Sequence, residues 1–126
     1  MRLFIDVDYT LVLWNEGNKH GSQVYAGDKY EMNHKLVDAI NKFLYTNPET
    51  EFLVWSGGGK AYAQEWADKI DFYYAPVTLG KDRSSALLIL ADSIVVDDMD
   101  DFSKREIAGR NATFFLPEEF IQEYAP

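Results

Sequence analysis

Short apolar runs alternate with longer amphipathic stretches along nearly the whole chain, and this alternation limits the possible folds more than any other feature. Arg2–Val7, Glu51–Trp55, Ser93–Val96 and Thr113–Leu116 are near-continuous apolar runs of strand length, the pattern of strands buried on both faces. Phe72–Ala75 adds an aromatic-rich fifth run. Between the first two, HKLVDAINKFLYT places Leu36, Val37, Ile40, Phe43 and Leu44 on one helical face behind Asn33 as a cap. Asn47-Pro48 ends that helix. A second helix is expected from about Lys60 to Ile70, with Ala63, Trp66, Ala67 and Ile70 as its buried stripe. A third begins near Asp82, and Pro117 starts the last, at a position where proline is well tolerated. Strands alternating with helices predict an α/β fold: a three-layer, Rossmann-like, five-stranded parallel sheet with helices on both faces.

From Leu11 to Met32 the pattern changes. Two short apolar pieces, Val12–Trp14 and Gln23–Ala26, flank NEGNKHG, which predicts a β-hairpin projecting from the domain. Trp14 and Tyr25 are expected to pack it onto the domain, and His20 to be a solvated loop residue. Trp55, Trp66 and His34 are read as core or helix-surface residues.

The length, 126 residues, suits one domain spanning 1–126 with a single substantial core. With 21 acidic against 12 basic residues the net charge is −9. No basic stripe is present to neutralise phosphates, which disfavours a broad nucleic-acid or anionic-membrane surface but not one anionic group in a local pocket. The absence of cysteine excludes disulfides and thiolate metal sites. No stretch approaches the roughly 18 apolar residues of a membrane span, and MRLFID meets acid too early for a signal peptide. The expectation is a soluble, cytoplasmic domain with no membrane partner.

In parallel α/β sheets functional residues gather at the carboxyl ends of the strands. Here the first strand ends in Asp6-Val7-Asp8, the second in Ser56-Gly57-Gly58-Gly59 and the fourth in Asp97-Asp98, while Lys81 precedes the helix before that fourth strand. Four carboxylates crowded at one edge raise each other's pKa, and a hard divalent cation relieves them. Mg²⁺ suits oxygen ligands and a substrate phosphate; with only His20 and His34 available, transition metals fit less well. The glycines would expose N–H groups at a helix start, where a phosphate is well placed, though GGGKA is not a Walker loop. Lys81, with Lys60 as a rival, offers a cation for that anion. Asp100 and Asp101 are left to an acidic turn before a helix.

These residues, in this order, resemble the haloacid dehalogenase-like superfamily of phosphohydrolases. Its Asp-x-Asp-x-Thr motif is matched by Asp6, Asp8, Thr10 and the following Leu11; its strand ending in Ser or Thr by Ser56; its lysine by Lys81; and its acidic strand end by Asp97 and Asp98. The resemblance implies a small capless member in which residues 11–32 form a flap in place of a cap domain. It implies that Asp6 attacks phosphorus to form an aspartyl-phosphate and that Asp8 is the general acid and base. It further implies that Asp6, the Asp8 backbone carbonyl and Asp97/Asp98 hold Mg²⁺, and that Ser56, Gly57 and Lys81 hold the phosphoryl oxygens. Aspartate at position 8 goes with phosphatases rather than dehalogenases. The implied partner is a phosphorylated substrate, a small molecule or an exposed phosphate ester. Tyr9 departs from the pattern, where most members carry glycine.

Two alternatives share the parts. A phospho-accepting receiver domain has a similar length, an acceptor aspartate, Mg²⁺, a Ser/Thr and a lysine, but orders them differently: adjacent acids first, then the acceptor, then Ser/Thr and lysine. A phosphate-binding protein of the same fold without turnover would need the same groups. Neither substrate identity nor oligomeric state is written in these motifs.

Overall fold

The computed structural model describes residues 1–15, 23–98 and 101–125. In chain order the elements are β1 (Arg2–Asp6), β2 (Val12–Trp14), β3 (Gln23–Tyr25), β4 (Asp28–Met32), α1 (His34–Thr46), β5 (Glu51–Ser56) and α2 (Lys60–Ala67). They continue with β6 (Val77–Gly80), α3 (Arg83–Ala86), β7 (Ile94–Val96), α4 (Asp101–Arg110), β8 (Thr113–Phe115) and α5 (Pro117–Tyr124). Five strands form an all-parallel sheet in the order β6-β5-β1-β7-β8. Counting only these strands along the chain, the order is 3-2-1-4-5, the Rossmann arrangement, with β1 central.

The residues of β1 alternate between two apolar clusters. Leu3 and Ile5 join Leu36, Ile40 and Leu44 of α1, Trp66 of α2 and Phe120 of α5. Phe4 joins Leu53, Trp55, Ile89 and Val95 in a separate cluster, with the Phe4 and Trp55 rings 5.0 Å apart. The strand is therefore buried on both sides, which explains its continuous apolar run. Truncating Phe4 to alanine in such a site costs about 3–5 kcal/mol.

The helix α1 begins as expected: the Asn33 side chain accepts from Leu36 N and its Nδ2 donates to the Thr10 carbonyl, tying the helix to the loop after β1. Three expectations are corrected. The third parallel strand is not Phe72–Ala75 but Val77–Gly80. Phe72 and Tyr74 pack instead on Phe52, and the Tyr74 hydroxyl donates to the Thr50 carbonyl. Pro76 has no N–H for a ladder, so pairing with β5 starts one residue later, at Val77 opposite Leu53. The second helix stops at Ala67, short of Ile70.

The expected hairpin is the third correction. β2 and β3 do not pair with each other; each pairs antiparallel with β4, in the order β2-β4-β3. The hairpin turn is Ala26-Gly27, both at positive φ (50° and 88°), a two-residue turn whose twist matches its strands. Most of NEGNKHG, including His20, lies outside the described residues, as does Asp100. Trp14 and Tyr25 pack this small sheet onto α2, with the Trp66 ring 5.7 Å and 4.9 Å away respectively. Trp55 and Trp66 are fully buried, and His34 is exposed at the start of α1. Among the described residues no helix is long and apolar enough to cross a membrane.

Candidate functional site

Asp6 is the last residue of β1, Ser56 the last of β5, Lys81 follows β6 directly and Asp97 follows β7. Parallel pairing with β1 at the centre brings these carboxyl ends together. The Lys81 ammonium lies 2.9 Å from Asp6 Oδ1 and 2.8 Å from Asp97 Oδ2, and its side chain is only 5 % exposed. It also stands 5.6 Å above the Trp55 ring, a favourable place for a cation. Lys60 is exposed at the start of α2, whereas Lys81 reaches the carboxylates. Moving the third strand to Val77–Gly80 is what places Lys81 at a strand end.

Carboxylate oxygens of Asp6, Asp97 and Asp98 lie within 4.8 Å of one another. Asp6 and Asp97 are buried and Asp98 is exposed. One ammonium cannot balance three carboxylates, and the acids respond. Burial, then the charge of Asp97, pushes Asp6 up to about 7 against the opposing pull of Lys81. Burial, then a hydrogen bond with Asp97, pushes Asp98 up to about 6. Burial alone would lower the Lys81 ammonium, but the charges of Asp6 and Asp97 hold it above its ordinary value. Hard oxygen donors, close spacing and surplus negative charge are what a metal cation needs; these three aspartates can hold one.

Asp8 stands apart from that group. Its Oδ1 accepts from Trp14 Nε1 at 2.9 Å and from the Tyr62 hydroxyl at 2.7 Å. Burial, then the bond to Asp8, holds the Tyr62 hydroxyl above its ordinary pKa. A tight loop begins between the two acids and carries Asp8: the N–H groups of Thr10, Leu11 and Val12 all point to the Val7 carbonyl at 3.0–3.2 Å. Tyr9 sits in that loop at φ 59°, the left-handed region that glycine enters without cost. Thr10 is fully buried and its Oγ1 donates to Asp6 Oδ2 at 3.3 Å.

Ser56 is buried, with its Oγ accepting from Gly58 N at 3.0 Å and its carbonyl from Gly59 N and Lys81 N. It organises the loop that leads into α2. Gly57 is exposed immediately after it. A Cβ on Gly58 would come within 2.9 Å of the Tyr62 ring, so glycine there leaves room for the tyrosine that holds Asp8. Asp101 opens α4, where an acid suits the helix start.

Tyr62 is not among the expected site residues, and Trp14 is expected chiefly to pack. Tyr62 reaches Asp8 across 54 residues of sequence, and no local pattern carries such a pairing. Beside Asp8 a cavity of about 330 Å³ opens, and a second of about 410 Å³ lies on the Asp98 side of Tyr9. No family model matches the chain, and no curated protein and no solved structure is significantly similar to it.

Proposed function

We propose that the chain is a Mg²⁺-dependent phosphomonoesterase of the haloacid dehalogenase-like type. The observation that carries this reading is the division between its first two acids. Asp6 is buried at the end of the central strand, bridged to Asp97 by the Lys81 ammonium, while Asp8, two residues on, is held by separate donors beside a cavity. Under this reading the parallel sheet is the middle layer of three, and the β2-β4-β3 sheet is a flap beside the site.

An Asp6 carboxylate oxygen attacks phosphorus while the ester P–O bond breaks, and Asp8 gives its proton to the departing alkoxide. Water then attacks the aspartyl-phosphate as Asp8 takes a proton from it, which releases phosphate and restores Asp6. Lys81, placed between Asp6 and Asp97, is near enough to hold a phosphoryl oxygen, and Ser56 with the Gly57 turn lines the same sheet end. Asp6, Asp97 and Asp98, with the Asp8 carbonyl, would hold Mg²⁺. When bound, the cation offsets the phosphoryl charge that three carboxylates would otherwise repel.

The strand order speaks against a receiver domain, whose flavodoxin-like sheet runs 2-1-3-4-5 rather than 3-2-1-4-5. The test is hydrolysis of an aryl phosphate with and without Mg²⁺, comparing wild type with Asp6→Asn and Asp8→Asn. Turnover that needs Mg²⁺ and both aspartates is expected. A wild type that hydrolyses no phosphate ester yet is stably labelled on Asp6 by acetyl phosphate would overturn the phosphatase in favour of a signalling or binding role.

A further inference from the structure

Tyr9 lines both cavities that flank the loop after β1. Its left-handed backbone, φ 59°, is costly for tyrosine and free for glycine, and its side chain is 44 % exposed. Core burial therefore does not account for a large ring at this position. A strained, exposed aromatic at the mouth of a site points to binding.

The cavity on the Asp8 side has a volume of about 330 Å³, within the range of roughly 300–1,000 Å³ for small-molecule sites. Tyr9, Trp14 and Tyr62 supply three aromatic side chains to its wall, and Asn15, Asp28 and Lys29 supply polar groups. Two of the rings are already fixed. Trp14 and Tyr62 both donate to Asp8 Oδ1, and Trp14 packs edge-on against Tyr30 and Trp66. A ligand entering there orders little that is not ordered beforehand. The cavity on the Asp98 side is walled instead by Leu13, Leu116, Pro117 and Ile121 alongside Tyr9.

We propose that the Asp8-side cavity binds a nucleobase, so that the substrates are nucleoside monophosphates and the leaving group is the nucleoside. The orientation of the phosphate rests on the phosphatase reading above, because the leaving oxygen must meet Asp8; binding of the base does not. Aromatic walls stack on the face of any base. The Asp28 carboxylate accepts from a ring N–H or exocyclic amine, the Asn15 amide donates and accepts, and Lys29 donates to a ring carbonyl or sugar hydroxyl. A phenyl ring would stack but make no hydrogen bond to Asp28 or Lys29. A polyol would match them without offering a planar face. Among the described residues Asp8 and Asp28 outnumber Lys29 in this cavity, which disfavours further phosphates there and selects monophosphates over longer anions.

Calorimetric titration of the full chain with adenosine, guanosine, cytidine and uridine, and with phenol and glycerol for comparison, tests the cavity without requiring turnover. At least one nucleoside is expected to bind about tenfold more tightly than phenol or glycerol. Tyr9→Gly, whose backbone suits the turn, is expected to weaken that binding about tenfold through lost stacking, while Tyr73→Ala, an exposed aromatic outside the cavity, leaves it unchanged. Absence of nucleoside binding, equal affinity for phenol or glycerol, or unchanged affinity in Tyr9→Gly overturns the proposal. A second arm compares kcat/KM in Mg²⁺ for the nucleoside monophosphates, phenyl phosphate and glycerol phosphate. Nucleosides that bind while no ester is hydrolysed would sink the phosphatase reading and leave the cavity standing. Hydrolysis without preference for nucleotides would do the reverse.

Discussion

Asp6 and Asp8 are two residues apart and belong to different parts of the molecule. Asp6 lies within the parallel sheet, in register with Trp55 of β5, and charged groups dominate its surroundings: Lys81, Asp97 and Asp98 beside the one neutral hydroxyl of Thr10. Asp8 lies past the strand end, where its carboxylate meets two neutral donors, Trp14 of the small antiparallel sheet and Tyr62 of α2. Alternate residues of one continuing strand would face the same way. The turn gathered on the Val7 carbonyl breaks that alternation. One acid is built for charge, the other for position beside open space, and substitution can separate the two.

The largest effects are expected from the acids themselves. Asp8→Asn should lower turnover by about 10²–10⁴-fold and Asp6→Asn, which removes the nucleophile, by at least as much, yet the two should differ in metal affinity. Asp6→Asn removes one of three clustered carboxylates, whereas Asp8→Asn leaves all three in place. Calorimetry with Mg²⁺ should show clear weakening in the first variant and at most a twofold change, on the order of 0.4 kcal/mol, in the second. Equal losses would erase the distinction between the two regions.

Lys81→Met is next. Removing the ammonium leaves Asp6 and Asp97 buried against each other, and breaking a buried ion pair costs about 3–5 kcal/mol. Urea unfolding at pH 8 in chelator should show that loss. At pH 5 the loss should be smaller, because Asp6, pushed up to about 7, can take a proton in place of the missing cation.

The same cluster sets a pH dependence. Asp6 is raised from 3.8 to about 7 and Asp98 to about 6, so between these limits the folded chain keeps protons that the unfolded chain has lost. Without metal, stability should fall as pH climbs from about 4 to about 7 and then level off, by on the order of 2–4 kcal/mol from Asp6. Asp98, being exposed, adds little. Under the proposed reading Mg²⁺ would displace those protons, so its stabilisation should grow across the same window. Thermal melts from pH 4 to 8, with Mg²⁺ and with chelator, check this; a chelator curve that rises with pH contradicts it.

The smallest effects belong to the Asp8 side. Tyr62→Phe removes one hydrogen bond to the Asp8 carboxylate, about 1.5–3 kcal/mol, and should lower turnover by roughly tenfold without changing Mg²⁺ affinity. Gly58→Ala should act through the same tyrosine, whose ring its Cβ would press at 2.9 Å. In a double-mutant cycle the two losses of turnover should therefore fall short of adding. Additivity would mean that Gly58 matters for another reason.

Local periodicity and burial made β1, β5, β7, β8 and α1 legible, since a strand buried on both faces is apolar throughout and a helix on a core is apolar on one face. The acids at Asp6, Asp97 and Asp98 stood out for the same reason: charge at the end of an apolar run is conspicuous. Much of the remainder depends on what lies opposite. Phe72–Ala75 has a strand's composition, but Val77–Gly80 holds the register beside β5, because Pro76 cannot join the ladder. DKYEM is too polar to announce itself, and becomes β4 by pairing with strands on either side. In the same way, motif order favoured Lys81 over Lys60 but only strand order set it against the carboxylates, and only packing of the small sheet and α2 against the loop gave Asp8 its partners Trp14 and Tyr62. Apolar periodicity is a property of neighbours in the chain and can be read along it. Which side chains meet across 54 or 75 residues depends on how the finished elements are stacked, and that is decided only when the chain closes on itself.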